Sequence, residues 1–530
     1  MNAADGLLTL GRWTSDRARI DGDRTAIIDR GVRTTYRELD DRAEALADRL
    51  RAGGYRPGDV IATLTGNTVD HIVLFFACAK AGLALAPISW RLQPGEIAGQ
   101  LDLLRPALFV TESVYAPLAR DAQDRTGEPV PLVELGEIGI ESVPVPPAGA
   151  GVPLDVPGGD PRAGRPVRDD DPLLLILTSG TTGTSKAVVL THANCHWTNE
   201  SLGRAMSFSD RDTVLAMMPQ YHVGGWNVHP LLTIRVGGTL VLERGFDAGR
   251  ALRLIEEHRV TAVMGVPTNY YLMAQHPEFL HTDLSSLRVA VTGGGPAPLP
   301  LLRMWHDRGV DLTQGYGLSE AAPNVTCLPI AEARSHAGSV GYPYPFVEVA
   351  LRTDDGRIET GAGVGEILVR GPAVMAGYAH DPEATAAAFV DGWLRTGDRG
   401  ERDSAGRLRI IDRIKDIFIS GGESVSPVEI EAVLLEHPDI AEVAVGGVPD
   451  EQWGERAIAW VVPRSGTRVD ADSVIAHASA RLARFKVPRE VVLVDRIPRS
   501  PADKPLRREL IARFVAATDT RSGPGTGGGR

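Results

Sequence analysis

The chain has 530 residues, of which 43% are hydrophobic and 23% are charged, and its formal net charge at pH 7 is -12. A chain of this length can bury a large core and is expected to divide into two or more domains. The acidic balance argues against a nucleic-acid binder, because phosphate contacts require an excess of Lys and Arg. We therefore expect small-molecule partners and no nucleic acid.

The cysteines and the apolar segments bear on the compartment. Cys78, Cys195 and Cys327 are too widely spaced for a disulfide framework or a zinc ribbon, which is typical of a reducing compartment. The first residues lack the basic end and long apolar core of a secretory signal. The apolar stretch 72–79 is too short to span a bilayer, so we expect no integral membrane segment and a cytoplasmic location.

In chain order, the first distinctive region is 141–171, which is rich in Pro, Gly and Asp. It is predicted to be an exposed connection that does not divide the core. Short β-branched runs then alternate with a helical pattern, which favours an α/β fold with parallel strands and helical crossovers. The predicted strands lie at 214–218, 238–242, 260–266 and 287–291, and the helix lies at 251–259.

A smaller α+β domain is predicted after residue 412, because a compact set of elements follows that has the usual size of an independent unit. These elements are a Gly-Gly turn at 421 and 422, helices at 427–437 and 473–482, and strands at 442–448, 457–462 and 490–494. We therefore predict a large N-terminal domain over 1–412, a small mobile C-terminal domain over 413–517, and a disordered tail over 518–530.

The most informative motif is TSGTTGTSKAVVLTH at 178–192, which directly follows the apolar run 173–177. Gly180 and Gly183 let the backbone expose its amides, and Lys186 adds a mobile positive charge, so the segment is suited to wrapping a polyphosphate such as that of ATP. Hydroxyl donors are supplied by Thr178, Ser179, Thr181 and Thr182. The spacing differs from the GxxxxGK phosphate loop of nucleotide hydrolases, and a flexible connection between two strands is the alternative.

Six segments, in order, resemble the signature segments of adenylate-forming enzymes, the group of acyl-CoA synthetases, peptide-synthetase adenylation domains and beetle luciferases. They are TSGTTGTSKAVVLTH at 178, MMPQYHVGG at 217, QGYGLSEAAPN at 314, DGWLRTGDRG at 391, IDRIKDIFISGGESVSPVEIE at 411 and IPRSPADKPLRREL at 497. The resemblance spans nearly the whole chain. It implies a large adenylate-forming domain with a small rotating C-terminal domain, and it is closest to the fatty-acid and aryl-acid CoA ligases.

The chemistry of such an enzyme explains these residue types. A carboxylate attacks the α-phosphorus of ATP, so two anions must be brought together and the pyrophosphate leaving group stabilised. The resemblance implies that Lys186 and its neighbouring hydroxyls hold the departing phosphates, that Glu320 is a catalytic residue and helps to hold Mg²⁺, and that Asp398 accepts hydrogen bonds from the ribose. The residues implied to flank the adenine are Gly293, Gly294, Gly295 and Tyr316, and Gly317 and Ser319 are implied to bind the nucleotide as well.

Lys504 is the predicted key residue of the adenylation step. A lysine of the small domain can bridge the acid's oxygen and the α-phosphate as negative charge concentrates between them. A solvated lysine among neighbouring arginines is the alternative. Two departures from the family pattern are evident: Asp503 precedes this lysine and Ala187 follows Lys186, where glycine is usual at both positions.

The segment from Asp412 to Ser424 is implied to contain the hinge about which the small domain turns between the two half-reactions. Arg413 resembles an arginine that contacts ribose or phosphate, and Lys415 occupies the hinge position. Turning about the hinge exchanges the Lys504 face, used for acid activation, for a face at Gly421 and Gly422 that admits the thiol of coenzyme A. Surface salt bridges are the alternative for Arg413 and Lys415.

His222 in PQYHVGG is implied to be a catalytic pocket histidine between the acid and the thiol route, with a core-edge histidine as the alternative. Trp226, Asn227 and His229 are predicted to share one helix. Gly224 and Gly225 are expected to leave open space beside the acid, which Trp226 could cap. A metal site at His192, Cys195 and His196 is disfavoured, because no further ligand pair follows.

The sequence favours an ATP-dependent acid–CoA ligase, which forms an acyl-adenylate, releases pyrophosphate and transfers the acyl group to coenzyme A. One alternative loads the acid onto the phosphopantetheine of a carrier protein. A second alternative is a homologue diverted to other chemistry, such as activation of nitrite for diazotisation of an aryl amine, or to non-catalytic binding. The acid itself is not specified, and both fatty acids and aryl acids remain open.

Overall fold

The structure is a computed structural model that describes residues 6–135, 139–140, 144–149, 151–152, 154, 166–179, 185–295, 297–414, 416–420, 423–450, 454–482, 484–500 and 504–521. The chain divides into two compact units. The large unit comprises residues 1–350 and 368–396, and the small unit comprises residues 351–367 and 397–530. The boundary at residue 412 predicted from the sequence stays a prediction.

Helices and strands alternate through the first 350 residues. In order they are α1 (Gly11–Asp21), β1 (Thr25–Asp29), β2 (Val32–Thr35), α2 (Tyr36–Ala52), β3 (Val60–Leu64), α3 (Val69–Ala81), β4 (Ala84–Pro87), α4 (Pro94–Leu104), β5 (Leu108–Glu112), α5 (Ala116–Gln123), β6 (Leu132–Leu135), β7 (Pro172–Ser179), β8 (Ser185–Thr191), α6 (His192–Met206), β9 (Thr213–Ala216), α7 (Gly224–Asn227), α8 (Pro230–Val236), β10 (Thr239–Leu242), α9 (Ala248–Glu257), β11 (Ala262–Gly265), α10 (Pro267–Gln275), β12 (Val289–Thr292), α11 (Leu299–Asp307), β13 (Leu312–Gly317), β14 (Asn324–Cys327), β15 (Tyr342–Pro343) and β16 (Glu348–Arg352).

The remaining residues contain shorter elements and most of the small unit. In order they are β17 (Ile358–Glu359), β18 (Gly363–Arg370), β19 (Gly377–Tyr378), α12 (Pro382–Ala387), β20 (Phe389–Val390), β21 (Trp393–Arg402), β22 (Leu408–Arg413), β23 (Phe418–Ser420), β24 (Glu423–Val425), α13 (Pro427–Leu434), β25 (Ile440–Asp450), β26 (Gly454–Pro463), α14 (Ala471–Ser479), β27 (Glu490–Leu493) and α15 (Arg507–Arg521). Among the described helices, none has both the length and the apolar character required to cross a membrane.

Two sheets form the framework of the large unit. The first has the order β15-β14-β13-β12-β11-β9-β10-β1-β2, and its strands from β13 to β1 are mutually parallel. The second has the order β19-β8-β7-β4-β3-β5-β6, and its strands from β7 to β6 are parallel. Strands β3 and β4 are buried at every position and, apart from Thr63, apolar, as expected when helices cover both faces of a parallel sheet. The predicted parallel-rich α/β fold is confirmed.

The small unit contains its own sheet, in which β25 and β26 form a long antiparallel pair and β27 adds to β26 in parallel. A hydrophobic cluster beside this sheet includes Ile430 and Leu434 of α13 and Val474 of α14. The predicted helices and strands of this region are therefore confirmed, although β25 and β26 extend several residues further than the apolar runs alone indicate.

The polar segment 141–171 differs from its prediction. Leu154, Asp169 and Asp171 are buried, and the Asp169 carboxylate accepts a hydrogen bond of 2.8 Å from the backbone N–H of Leu8. The expectation of an exposed connection is therefore wrong at these residues, because the acidic side chains satisfy backbone donors. At the other end of the chain, α15 reaches Arg521, within the segment predicted as a tail, and residues 522–530 lie outside the described residues.

Three histidines are fully buried in the large unit, and this placement predicts acid sensitivity. Burial lowers the pKa of His71 and His192 to about 4 and that of His229 to about 3, from an ordinary value of 6.5. The unfolded chain binds these protons below pH 6.5 whereas the folded chain does not, so the stability contributed by the neutral rings is complete above pH 6.5 and is lost as the pH falls towards 4. We expect the free energy of unfolding to fall by up to about 4 kcal/mol per pH unit near pH 5.

Urea denaturation of the protein at several pH values between 7.5 and 5 measures how the free energy of unfolding of the large unit depends on pH. A variant that lacks one of the three histidines should take up one proton fewer on unfolding, so its free energy of unfolding should depend correspondingly less steeply on pH. A free energy of unfolding that does not change between pH 6.5 and pH 5 would contradict the expectation.

Candidate active site

The motif at 178–192 begins at the end of one strand and continues into its neighbour. Strands β7 and β8 pair antiparallel with Thr178 opposite Lys186. The Thr178 hydroxyl donates to the Lys186 carbonyl across this pair at 3.4 Å. Gly180, Thr181, Thr182 and Gly183, together with the side chain of Ser179, lie outside the described residues.

Lys186 lies beside an aromatic ring that connects it to Glu320. The Lys186 ammonium is 4.8 Å from the centroid of the Tyr378 ring, and the Tyr378 hydroxyl donates to Glu320 Oε1 at 2.9 Å. Burial, followed by the negative charge of Glu320, raises the pKa of Tyr378, so the hydroxyl keeps its proton. The structure therefore brings the predicted phosphate-binding lysine and the predicted magnesium-binding carboxylate together through one tyrosine, which the sequence analysis did not select.

Ala187 lies on the opposite face of β8 from Lys186, because successive side chains of a strand alternate between faces. It is fully buried in a hydrophobic cluster with Leu175, Val189 and Ala379. The methyl group thus packs in the core. The departure from glycine at this position has a packing explanation and introduces no bulk beside the Lys186 side chain.

The glycines predicted to flank the adenine lie at one edge of the first sheet. Gly293, Gly294 and Gly295 follow β12, while Tyr316 and Gly317 end β13, and these two strands are parallel neighbours with Thr292 opposite Gln314. Ser319 and Glu320 form a short 3-10 turn directly after β13. Both segments therefore leave the carboxyl ends of adjacent parallel strands, where open α/β sheets commonly bind ligands.

His222 lies in a turn after β9, where its N–H donates to the Pro219 carbonyl at 3.1 Å. Its ring is half-buried, and its centroid is 4.6 Å from that of Tyr221. Tyr221 in turn contacts Trp90 edge to face at 6.2 Å, and Trp90 stacks on Tyr115 at 5.7 Å. A row of aromatic side chains therefore extends from His222.

Three expectations about the residues after His222 are wrong. Helix α7 ends at Asn227, and His229 has a positive φ of 80°, so Trp226 and His229 do not share a helix. A Cβ on Gly225 would be 2.4 Å from the Pro219 carbonyl oxygen, so this glycine permits a close backbone approach, and the expectation of open space is wrong at Gly225 but not at Gly224, where a Cβ would meet only Val228 Cγ2 at 3.9 Å. Trp226 is 1% exposed and stacks on Phe75 at 4.7 Å, which makes it a core residue and not a cap.

A buried polar network positions the His222 turn. The Asn67 side chain accepts from the Gln220 N–H at 3.0 Å and donates to the carbonyls of Met218 and Glu243 at 2.9 and 3.1 Å. The His71 ring lies 2.9 Å from the Gln220 side-chain oxygen. Asn67 is not among the site residues predicted from the sequence, although an asparagine in the Thr-Gly-Asn segment that follows a buried strand is a signal for a turn that needs several hydrogen bonds.

In the small unit the structure brings Asp398 and Arg413 together. They are opposite each other on the antiparallel strands β21 and β22, and the Arg413 guanidinium is 3.0 Å from Asp398 Oδ1. Asp398 is 4% exposed. Arg413 therefore does form a salt bridge, as the alternative for this residue expects. Its partner, however, is Asp398, the buried carboxylate that is predicted to bind the ribose. Lys415 lies outside the described residues.

The start of the predicted hinge is anchored by Asp412. Its buried carboxylate accepts from the Ser426 hydroxyl at 2.7 Å and from the Val428 N–H at 3.1 Å, and burial raises the pKa of this group. The end of β22 is thereby tied to the beginning of α13. Gly421 and Gly422, which precede these partners, lie outside the described residues.

Lys504 lies in a loop before α15 with an exposed side chain. Its carbonyl accepts from the Ser500 N–H at 2.8 Å, and its own N–H donates to the Ser500 hydroxyl at 3.3 Å. Two of the neighbouring arginines are paired with carboxylates: Arg499 is 2.6 Å from Glu442, and Arg507 is 2.8 Å from the buried Glu431. Asp503 lies outside the described residues.

His192, Cys195 and His196 are placed around the start of α6, where His192 Nδ1 accepts from the Leu10 N–H at 3.1 Å. No group of three or more His, Cys, Asp or Glu side chains suited to holding a metal ion occurs among the residues that the structure describes. A single carboxylate such as that of Glu320 nevertheless fits Mg²⁺, which keeps several waters and binds to one or two carboxylates together with substrate phosphates.

Comparison with known proteins places the chain in a family. The family described as AMP-binding enzyme matches residues 14–379, and its C-terminal domain matches residues 429–504. The chain is 38% identical to a feruloyl-CoA synthase from Amycolatopsis sp over 95% of its length and 99% of the relative. It is 36% identical to an indoleacetate–CoA ligase from Aromatoleum aromaticum, over 96% and 98% of the two chains.

A solved structure of o-succinylbenzoate CoA synthetase from Bacillus subtilis in complex with ATP and a magnesium ion superimposes with a TM-score of 0.81. The identity is 29%, and the alignment covers 94% of this chain and 99% of that chain. The chain therefore belongs to the AMP-binding, adenylate-forming enzymes of the acyl-CoA synthetase type. The predicted family is confirmed, and so is the predicted enzyme class, an AMP-forming acid–thiol ligase.

Proposed function

We propose that the protein joins an aryl carboxylic acid to coenzyme A at the expense of ATP, through an acyl-adenylate. The observation that carries this proposal is the convergence of Lys186 and Glu320 on Tyr378. A cation and a carboxylate held this close together suit a polyphosphate and its magnesium ion. The feruloyl-CoA and indoleacetate relatives, which match nearly the whole chain, are CoA ligases, which supports coenzyme A as the acceptor.

In the first half-reaction an oxygen of the acid forms a bond to the α-phosphorus of ATP, the bond to the bridging oxygen breaks, and pyrophosphate leaves. Lys186 neutralises charge on the departing phosphates, and Glu320 helps to hold Mg²⁺. When bound, Mg²⁺ neutralises charge on the phosphate oxygens. Asp398 accepts hydrogen bonds from the ribose hydroxyls. The Arg413 guanidinium, 3.0 Å from Asp398 Oδ1, fixes the orientation of this carboxylate.

The small unit provides two further groups in turn. Lys504 supplies a positive charge between the acid and the α-phosphate during activation. The small unit then rotates about Lys415, so that the segment of Gly421 and Gly422 takes the place of Lys504. The thiol of coenzyme A reaches the acyl-adenylate along this segment. The sulfur forms a bond to the acyl carbon, the bond to AMP breaks, and the thiol proton is lost. His222 separates the acid from the thiol route.

The proposed acid is aromatic. The ring of Tyr221 lies against His222, and Trp90 and Tyr115 continue the aromatic row, so a planar apolar substrate has matching surfaces. The feruloyl-CoA and indoleacetate relatives are named for aryl acids, which supports the same class. We also propose a cytoplasmic location, because Cys78, Cys195 and Cys327 are all free thiols.

A screen of AMP release across acids of graded length and aromaticity tests this function. We expect a hydroxycinnamic or arylacetic acid to be consumed with coenzyme A, and octanoate and palmitate to react at least about tenfold less efficiently, corresponding to a loss of about 1.4 kcal/mol of transition-state binding. A preference for fatty acids would contradict the aryl assignment. Turnover only with a carrier protein, or only with an aryl amine and nitrite, would contradict the CoA ligase assignment itself.

A further inference from the structure

Tyr378 reaches Lys186 because of the register of two strands. Strand β19 pairs antiparallel with β8, with Tyr378 opposite Val188. Lys186 and Val188 are two residues apart on β8 and therefore present their side chains on the same face. Long and aromatic side chains at such diagonal cross-strand positions lie within reach of each other.

The segment that carries Tyr378 is fixed by backbone hydrogen bonds on both sides. The N–H groups of Ala376 and Ala379 donate to the carbonyls of Val189 and Ala187 at 3.0 and 2.8 Å. The N–H of Met375 donates to the Glu320 carbonyl at 2.8 Å. These hydrogen bonds hold the segment of Tyr378 against β8, the strand that carries Lys186, and beside the turn that carries Glu320.

The ring and the hydroxyl of Tyr378 make different contacts with the two charged side chains, Lys186 and Glu320. Its ring face attracts the Lys186 ammonium through a cation–π contact, which is weak enough to be exchanged for a phosphate. Its hydroxyl donates to the Glu320 carboxylate and fixes the orientation of that group. A direct pair between this lysine and this glutamate would instead neutralise both charges, and ATP with its magnesium ion would have to break the pair.

We propose that Tyr378 is a positioning residue that separates Lys186 from Glu320, so that each remains available for its own ligand. This inference rests on the proposed function, in which Lys186 binds the phosphates of ATP and Glu320 binds Mg²⁺. It assigns the tyrosine a role in nucleotide binding that depends on both its ring and its hydroxyl.

Removal of the ring tests the first part. In Tyr378→Leu, Lys186 and Glu320 should pair directly, and the Kd for ATP measured by calorimetry without Mg²⁺ should rise roughly 3- to 30-fold. The double variant Tyr378→Leu with Glu320→Gln removes the competing carboxylate, and its Kd should return to within about twofold of that of Glu320→Gln alone. A tyrosine needed only for packing predicts no such rescue, so a double variant that binds ATP as weakly as Tyr378→Leu would overturn the proposal.

Removal of the hydroxyl alone tests the second part and applies even if Tyr378→Leu does not fold. Tyr378→Phe keeps the ring, so its Kd for ATP without Mg²⁺ should stay within about twofold of wild type. The Mg²⁺ concentration that gives half-maximal pyrophosphate exchange should rise roughly tenfold, because Glu320 loses its orienting donor. An unchanged Mg²⁺ requirement would overturn the proposal. A wild-type enzyme that binds no ATP would overturn the proposed function as well, which distinguishes the two failures.

Discussion

Replacement of Lys504 by alanine is expected to abolish acid-dependent exchange of pyrophosphate into ATP, with a loss of about 10²- to 10⁴-fold in rate. The substitution removes the positive charge that we place between the acid and the α-phosphate as negative charge builds up, and groups of this kind contribute about 3 to 5 kcal/mol. Thioester formation from a supplied acyl-adenylate should stay within about threefold of wild type, because we propose that this step uses a different face of the small unit.

A second lysine of the small unit provides the matched control for this prediction. Lys486 is paired with Glu429 at 2.6 Å. We expect Lys486→Ala to leave both half-reactions unchanged. Equal losses of adenylation and of thioester formation in Lys504→Ala would show that the lysine does not act on one step alone, and an unaffected exchange rate would remove it from the catalytic set.

Replacement of Gly317 by alanine should damage both stability and activity, for a purely steric reason. A Cβ at this position would lie 1.6 Å from the Pro323 carbonyl oxygen and 2.7 Å from its carbonyl carbon. These atoms belong to the backbone and cannot rotate away, so the turn that carries Ser319 and Glu320 must move. We expect a loss of about 2 to 4 kcal/mol in the free energy of unfolding and at least about a 100-fold loss of pyrophosphate exchange.

Gly99→Ala is the control for that substitution. Gly99 is an exposed residue of α4, and a Cβ there meets no atom within 4 Å. The same change of side chain should leave activity unaltered and should stabilise the helix by about 0.5 to 1 kcal/mol. Urea denaturation and pyrophosphate exchange measure both variants. A Gly317→Ala enzyme with wild-type midpoint and rate would contradict the steric account.

Local sequence was sufficient for part of the framework of the site. The apolar run before Thr178 and the small polar residues after it are compatible with a connection between two strands, the alternative for this motif, and β7 and β8 pair on either side of that segment. Alternation of β-branched runs with a helical pattern predicts β9, β10, β11 and β12, and Gly293 follows the last of these. Strand β13, which carries Tyr316 beside it, is not among the predicted strands. These features depend on neighbours in the chain, and the motif order added the assignment to the family.

Contacts between distant segments could not be predicted in this way. Tyr378 lies on a two-residue strand, and nothing in its immediate sequence indicates pairing with β8. The composition of 141–171 indicates a polar loop but not that Asp169 is buried against a backbone donor. The error at His229 was avoidable, because the residue before a proline disfavours the helical region and Pro230 follows directly.

The hydrogen bonds of Asn67 join parts of both sheets of the large unit. Asn67 follows β3 of the second sheet, and its partners Met218 and Glu243 follow β9 and β10 of the first. The same side chain holds Gln220, two residues before His222. If the acid binds at His222 as proposed, the packing of the two sheets against each other and the affinity for the acid should be thermodynamically linked. A tightly bound acid should raise the melting temperature of the large unit, and a gradual loosening of the sheet interface on heating should weaken acid binding before the protein unfolds.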